Sequence, residues 1–122
     1  MVRWLALLSL LIAAPVFGQD SPSFDCGKAG SSAEKLVCED TELARLDRLV
    51  AERYAAALDV IRNLDTGASR AEDQLRASQR GWIKGRDDCW KAEDERACVA
   101  DAYRLRTAEL QARYRLVQPT GP

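Results

Sequence analysis

Histidine is missing altogether from the 122 residues of this chain. That absence removes the commonest general base and the ligand that most often completes a zinc site. There is no C-x-x-C pair, so thiol redox chemistry of the thioredoxin type has no motif. There is no glycine-rich phosphate loop. No stretch shows strand-like alternation, and no apolar run reaches the ~20 residues of a membrane-spanning helix. Charge of one sign is also lacking, with 18 Lys and Arg against 19 Asp and Glu. A near-neutral chain offers no electrostatic case for nucleic acid or an anionic membrane. Serines are few, and Ser31 and Ser69 sit at capping positions. The carboxylate pairs fall at ordinary salt-bridge spacing on helix faces. A small helical bundle seldom builds the two-acid cleft of a glycoside hydrolase. The expectation is therefore a protein that is not an enzyme and takes no cofactor and no metal.

The first residues read as an export signal. Arg3 supplies the positive start, Trp4 to Val16 the apolar stretch, and Val16-Phe17-Gly18 the small residues before a cut, which places cleavage after Gly18. The domain plan that follows is a signal over 1–18, an irregular lead-in over 19–30, one helical domain over 31–117 and a flexible tail over 118–122. Removing 18 of the 122 residues leaves 104, with 17 basic and 19 acidic side chains, a net charge of about −2. The expected location is the periplasm or the exterior, with no membrane attachment once the signal is gone.

Four cysteines stand in the exported portion, Cys26, Cys38, Cys89 and Cys98. An even set in a short exported chain reads as two disulfides. Spacings of eleven and eight intervening residues do not match the two to four of zinc knuckles. Cys26–Cys38 would fasten the lead-in to a short helix, and Cys89–Cys98 would close a turn between two helices. Each loop would add about 2–3 kcal/mol. The crossed pairings remain open on sequence alone.

Helical periodicity runs through the rest. Ser31 and Glu34 form a capping box ahead of a short helix through Ala33, Leu36 and Val37, ending near Cys38. Asp40 or Thr41 caps a second helix. Leu43, Leu46, Val50, Tyr54, Ala57, Leu58, Ile61 and Leu64 mark its stripe, and it runs to about Asn63. Gly67 breaks the chain. Ser69 and Glu72 form a second capping box for a third helix, with Leu75, Trp82, Ile83, Cys89 and Trp90 on one side. Gly81 and Gly85 inside it read either as a weakened helix or as a close helix–helix approach. Asp94 caps a fourth helix with a stripe through Ala97, Cys98, Ala102, Leu105, Ala108, Ala112 and Leu116, widened by Tyr103, Leu110, Tyr114 and Val117. That long apolar face would also suit a dimer. The fold class is all-α, a small antiparallel helical bundle with a short N-terminal helix, stapled by two disulfides.

Two charges interrupt apolar faces. Asp47 lies between Leu43 and Val50, and Arg86 between Trp82 and Cys89. Both are candidates for burial, and buried charges need partners, so the two are expected to pair across the helices. Tyr54, Trp82 and Tyr103 read as core or semi-core. Acid gathers around the turn before the fourth helix, where Asp87, Asp88, Glu93 and Glu95 flank Trp90. These five residues are the candidate surface for a basic protein partner, with charge complementarity serving rate and specificity.

These residues together resemble the lysozyme inhibitor LprI family. Phe24-Asp25-Cys26, Glu34-Lys35-Leu36-Val37-Cys38 and Leu43-Ala44-Arg45-Leu46-Asp47 resemble its opening, and Tyr54 its helical tyrosine. The stretch from Gln79 to Cys89 resembles its W-x-x-x-R-D-x-C motif. Cys98, Tyr103, Arg106 and Leu110 resemble its final helix. The resemblance spans Phe24 to Leu116. It implies an exported bacterial helical domain and a role in binding and inhibiting lysozyme, with a cationic lysozyme as the protein partner. The alternative is a non-inhibitory structural or adaptor bundle of the cell envelope.

Overall fold

The computed structural model describes residues 21–116. The expected signal with its cleavage point, and the expected tail from Val117 onward, lie outside the described residues. Among the described residues four helices follow one another: α1 (Ser32–Glu39), α2 (Thr41–Arg62), α3 (Ala68–Asp87) and α4 (Glu95–Tyr114). A 3-10 turn at Cys26–Lys28 precedes them, and a second at Asp88–Lys91 joins α3 to α4. Among the described residues there is no strand.

Local chemistry sets most of the boundaries. Ser31 accepts from the Glu34 backbone N–H at 3.0 Å, while the Glu34 carboxylate accepts from the Ser31 N–H at 3.2 Å. This is the expected reciprocal box. Asp40 caps α2 through the Leu43 N–H at 3.0 Å, and Asp94 caps α4 through the Ala97 N–H at 2.9 Å. The box expected of Ser69 and Glu72 does not form. The α3 N-cap is Gly67, with φ of 75° and no side-chain cap. Glu72 instead accepts from Arg62 at 2.9 Å, across the α2–α3 turn. Ser69 is the second residue of the helix, not its cap, so the box geometry is not available there.

Cross-helix contacts give the topology. Arg96 bonds Asp40, and Tyr103 bonds Asp47, so α2 and α4 run parallel. Trp82 reaches Ala102, and Arg106 reaches Gln79 and Ser78, so α3 runs antiparallel to both neighbours. The result is an up–down–up bundle, with α1 and the N-terminal segment folded over the end where α2 and α4 begin. Both expected disulfides, Cys26–Cys38 and Cys89–Cys98, are present. Both lie at that end.

The core is drawn chiefly from α2 and α4. Leu43, Leu46, Val50, Ala57 and Ile61 of α2 pack with Val99, Ala100, Tyr103 and Leu110 of α4, and Ala33 and Val37 close the end from α1. Each fully buried aliphatic contributes roughly 1.5–3 kcal/mol. Leu64, placed on the α2 stripe by periodicity, lies past the helix end and is exposed.

Three expectations about α3 and α4 change. Helix α3 stops at Asp87, so Cys89 and Trp90 belong to the 3-10 turn; Cys89 is buried and Trp90 is 60% exposed. A methyl group at Gly81 or Gly85 would meet no atom within 4 Å, so neither marks a close helix approach. The packed face of α4 is Val99, Ala100, Tyr103, Arg106, Thr107 and Leu110, whereas Leu105 is 71% exposed. The expected stripe was turned by about one residue, or ~100°. Arg106 is the reason. It is buried because Gln79 Oε1 and Ser78 Oγ accept from it at 2.9 and 3.1 Å, and Glu109 Oε2 forms an ion pair with it at 3.1 Å. A polar side chain with its hydrogen bonds met is at home in a core, and counting apolar residues cannot register it.

Candidate functional site

The disulfide-capped end gathers the residues that the sequence singles out. Asp47 projects from α2 and Arg86 from α3, and both are almost wholly buried, at 5% and 6% exposure. They do not meet head to head. The Tyr103 hydroxyl stands between them, accepting from Arg86 Nη1 at 3.0 Å and donating to Asp47 Oδ1 at 2.9 Å. Asp47 Oδ2 also accepts the Ser23 backbone N–H at 2.6 Å. Arg86 directs Nε and Nη2 to Asp87 Oδ1 at 3.0 and 2.8 Å, and the Ser31 hydroxyl donates to the same oxygen at 3.1 Å. One polar chain thus ties the lead-in, the α1 cap, α2, α3 and α4 together.

Electrostatics fix the proton positions in that chain. Burial pushes the Tyr103 phenol well above its ordinary value, and the Asp47 charge adds to the effect against the opposing pull of Arg86. Tyr103 therefore stays protonated and remains a donor to Asp47. Burial works against the Arg86 charge, but Tyr103 and Asp87 outweigh it and hold the guanidinium protonated. The Trp82 ring packs edge-on to Tyr103 with centroids 5.1 Å apart, and Arg86 lies 5.5 Å from the Trp82 centroid. The Trp82 indole N–H is satisfied by Ala102 O at 2.9 Å.

The five acidic-turn candidates separate into two groups. Asp87 is spent on Arg86 and Ser31, and Glu95 accepts from the Ser32 hydroxyl. Asp88, Trp90 and Glu93 face solvent. Asp88 pairs loosely with Lys91 at 3.6 Å, and Lys91 Nζ lies 5.5 Å from the Trp90 centroid. The Cys89–Cys98 bridge anchors this turn to the first turn of α4. Arg96 and Asp40, with contacts of 2.6 and 3.2 Å, lock the starts of α4 and α2. The Arg96 hydrogen bonds hold the Asp40 carboxyl below its ordinary value, helped by the Leu43 N–H.

Asp47 and Arg86 lie on inward faces, but sequence spacing does not reveal Tyr103 as the link, nor Ser23 and Ser31 as its outer members. The only available signal was that Tyr103 falls on the widened face of α4. Among the described residues, no group of three or more His, Cys, Asp or Glu side chains is arranged to hold a metal ion. No described helix is long and apolar enough to cross a membrane.

Comparison with known proteins places this frame. The family model described as Lysozyme inhibitor LprI matches residues 26–110. Those limits coincide with the first cysteine and with the buried Leu110 of α4. Lipoprotein LprI of Mycobacterium tuberculosis (strain ATCC 25618 / H37Rv) is 33% identical over 119 residues, covering 89% of this chain and 56% of the relative. Lipoprotein LprI of Mycobacterium bovis (strain ATCC BAA-935 / AF2122/97) matches to the same extent. The chain spans about half the length of these relatives. An uncharacterized protein of Rhizobium meliloti (strain 1021) is 33% identical over 125 residues, covering 85% of this chain and 89% of the relative. No solved structure matches significantly.

Proposed function

The chain belongs to the lysozyme inhibitor LprI family, and on that premise we propose that it is an exported, non-enzymatic protein that binds and inhibits a cationic lysozyme. In this reading the signal is cleaved near Gly18, the domain works in the periplasm or outside the cell, and inhibition is steric. The contact is the turn between α3 and α4, and Trp90 is its anchor. One observation carries the reading: Trp90 is 60% exposed on a disulfide-anchored turn, with exposed Asp88 and Glu93 beside it. A large aromatic held rigid in solvent is the kind of residue that dominates an interface once covered. The disulfide lowers the ordering cost of binding. Flanking carboxylates on the rim would steer a basic partner.

The test is inhibition of a hen-type lysozyme by the oxidised, signal-free protein and two variants. Trp90→Ala is expected to weaken inhibition about tenfold, as for the loss of a central aromatic anchor. Asp88→Asn with Glu93→Gln is expected to weaken it severalfold and to flatten its salt dependence. Full inhibition by both variants would remove the turn as the contact surface.

A second reading, an adaptor bundle of the envelope without inhibitory action, draws support from Leu105. It is 71% exposed on the outer face of α4, where a partner protein would cover it.

A further inference from the structure

A cleft of about 250 Å³ opens between the N-terminal segment, α1, α2 and α3. Asp47 and Arg86 line its buried part, Val50 and Ile83 give it an apolar wall, and the half-exposed Glu34 and Asp87 stand nearer solvent. Its size lies just under the range of pockets that hold drug-sized ligands and suits a single long side chain. The charge within it is unbalanced, with three carboxylates against one guanidinium. Arg86 is committed to Asp87 at 2.8 Å and to Tyr103, so its charge is already answered. Asp47 is left as a buried carboxylate whose hydrogen bonds come from a backbone N–H and a phenol. Among the described residues no lysine or arginine forms an ion pair with it or with Glu34. A carboxylate removed from water with no cation in contact is costly, and a cation entering beside it recovers that cost. An anion would meet a net negative lining and an arginine whose hydrogen bonds are already directed elsewhere.

We propose that the cleft receives one lysine or arginine side chain of a partner protein, its aliphatic stem against Val50 and Ile83 and its charged head between Glu34 and Asp47. Such a stem has the apolar body and cationic tip that this lining matches. The partner is taken from the inhibitor reading above, on which that part of the inference rests. The cleft's chemistry does not depend on it. Asp87 borders both the cleft and the acidic turn, so one basic surface would engage both.

The test has a small-molecule arm and a protein arm, both on the oxidised, signal-free protein. In the first, butylammonium and butylguanidinium are titrated while backbone amide shifts are followed by NMR, with butyrate and butanol as controls. Saturable shifts confined to cleft residues are expected for the two cations, with Kd on the order of 1 mM for so few atoms. Glu34→Gln, which keeps a capping oxygen but loses the charge, is expected to weaken binding about threefold. Ile83→Trp, at a position 37% exposed, is expected to fill the cleft and abolish the shifts while leaving the melting temperature unchanged. In the second arm, Ile83→Trp is expected to weaken lysozyme binding at least tenfold. Absence of saturable shifts with either cation, or equal binding of butyrate or butanol, overturns the proposal whatever lysozyme does. Wild-type affinity of Ile83→Trp for lysozyme overturns the assignment of the partner's side chain to this cleft. If the cations bind but wild-type protein does not bind lysozyme, the cleft stands and the inhibitor reading falls.

Discussion

Replacing Tyr103 by Phe removes one oxygen from the centre of the bundle and nothing else. The ring of Tyr103 is wholly buried, and Phe keeps its volume and its edge-on contact with Trp82, so no cavity term enters. What is lost is the hydroxyl that joins Arg86 Nη1, at 3.0 Å, to Asp47 Oδ1, at 2.9 Å. Hydrogen bonds to charged groups contribute about 1.5–3 kcal/mol each, and stranding a buried charged group adds to the loss. The remaining partners work the other way, because Asp47 keeps the Ser23 N–H and Arg86 keeps Asp87, so neither charge is wholly stranded. The net expectation is a destabilisation of about 2–3 kcal/mol, a large share of the ~5–15 kcal/mol typical of a small domain. In a domain of this size that corresponds to a fall in melting temperature of about 10–20 °C. Urea unfolding of the oxidised protein, followed by far-UV circular dichroism, measures it as a lower midpoint with unchanged slope. A loss below about 0.5 kcal/mol with the same slope would mean that the polar chain through Tyr103 is not part of what holds the helices in register.

Other predictions follow from the same geometry. Gly81→Ala is expected to raise stability by about 1 kcal/mol, because the position is helical, exposed and open to a methyl group; a drop in the urea midpoint would show an unseen close approach. Leu110→Ala is expected to cost about 2–5 kcal/mol, and Leu105→Ala less than about 0.5 kcal/mol, by the same unfolding assay. Reversed costs would restore the α4 face first expected from apolar periodicity. The Glu34 and Asp40 carboxyls lie below their ordinary values of 4.5 and 3.8. For Glu34 desolvation pulls upward, but the Ser31 and Gly30 donors and the Arg86 charge outweigh it. Groups with depressed folded-state values stabilise fully above their ordinary range and lose that contribution as pH falls through the folded values. The melting temperature should therefore hold from neutrality to about pH 5 and decline below about pH 4, modestly because both groups are only partly buried. Rising stability on acidification would contradict the sign.

How far this frame was legible in advance depended on whether a feature was local. The caps at Ser31, Asp40 and Asp94 involve a side chain and a backbone N–H three residues apart, and sequence spacing contains all of that information. The two disulfides close short segments, so the nearest pairing in sequence was also the one that forms. The Ser69–Glu72 box does not form because the helix starts earlier, at the Gly67 cap, which leaves Glu72 to Arg62 across the turn. The face of α4 failed because Arg106 is buried by acceptors on α3 and by Glu109, and a buried arginine looks like a solvent position in any apolar count. The Asp47–Arg86 relationship was readable as two inward charges. Its form, with Tyr103 as intermediary, needed three helices in register. The solvent-facing state of Asp88 and Trp90, against the internal commitments of Asp87 and Glu95, likewise came only from the tertiary structure.

The proposed function requires this acidic, disulfide-capped end to engage a basic lysozyme. Calorimetric titration of the oxidised, signal-free protein into a cationic hen-type lysozyme, at low and at high salt, tests it most directly. Saturable binding is expected at low salt and clearly weaker binding at high salt, as when exposed carboxylates meet a basic surface. No heat of binding and no loss of lysozyme activity at either salt would contradict it and leave the bundle without lysozyme as its target.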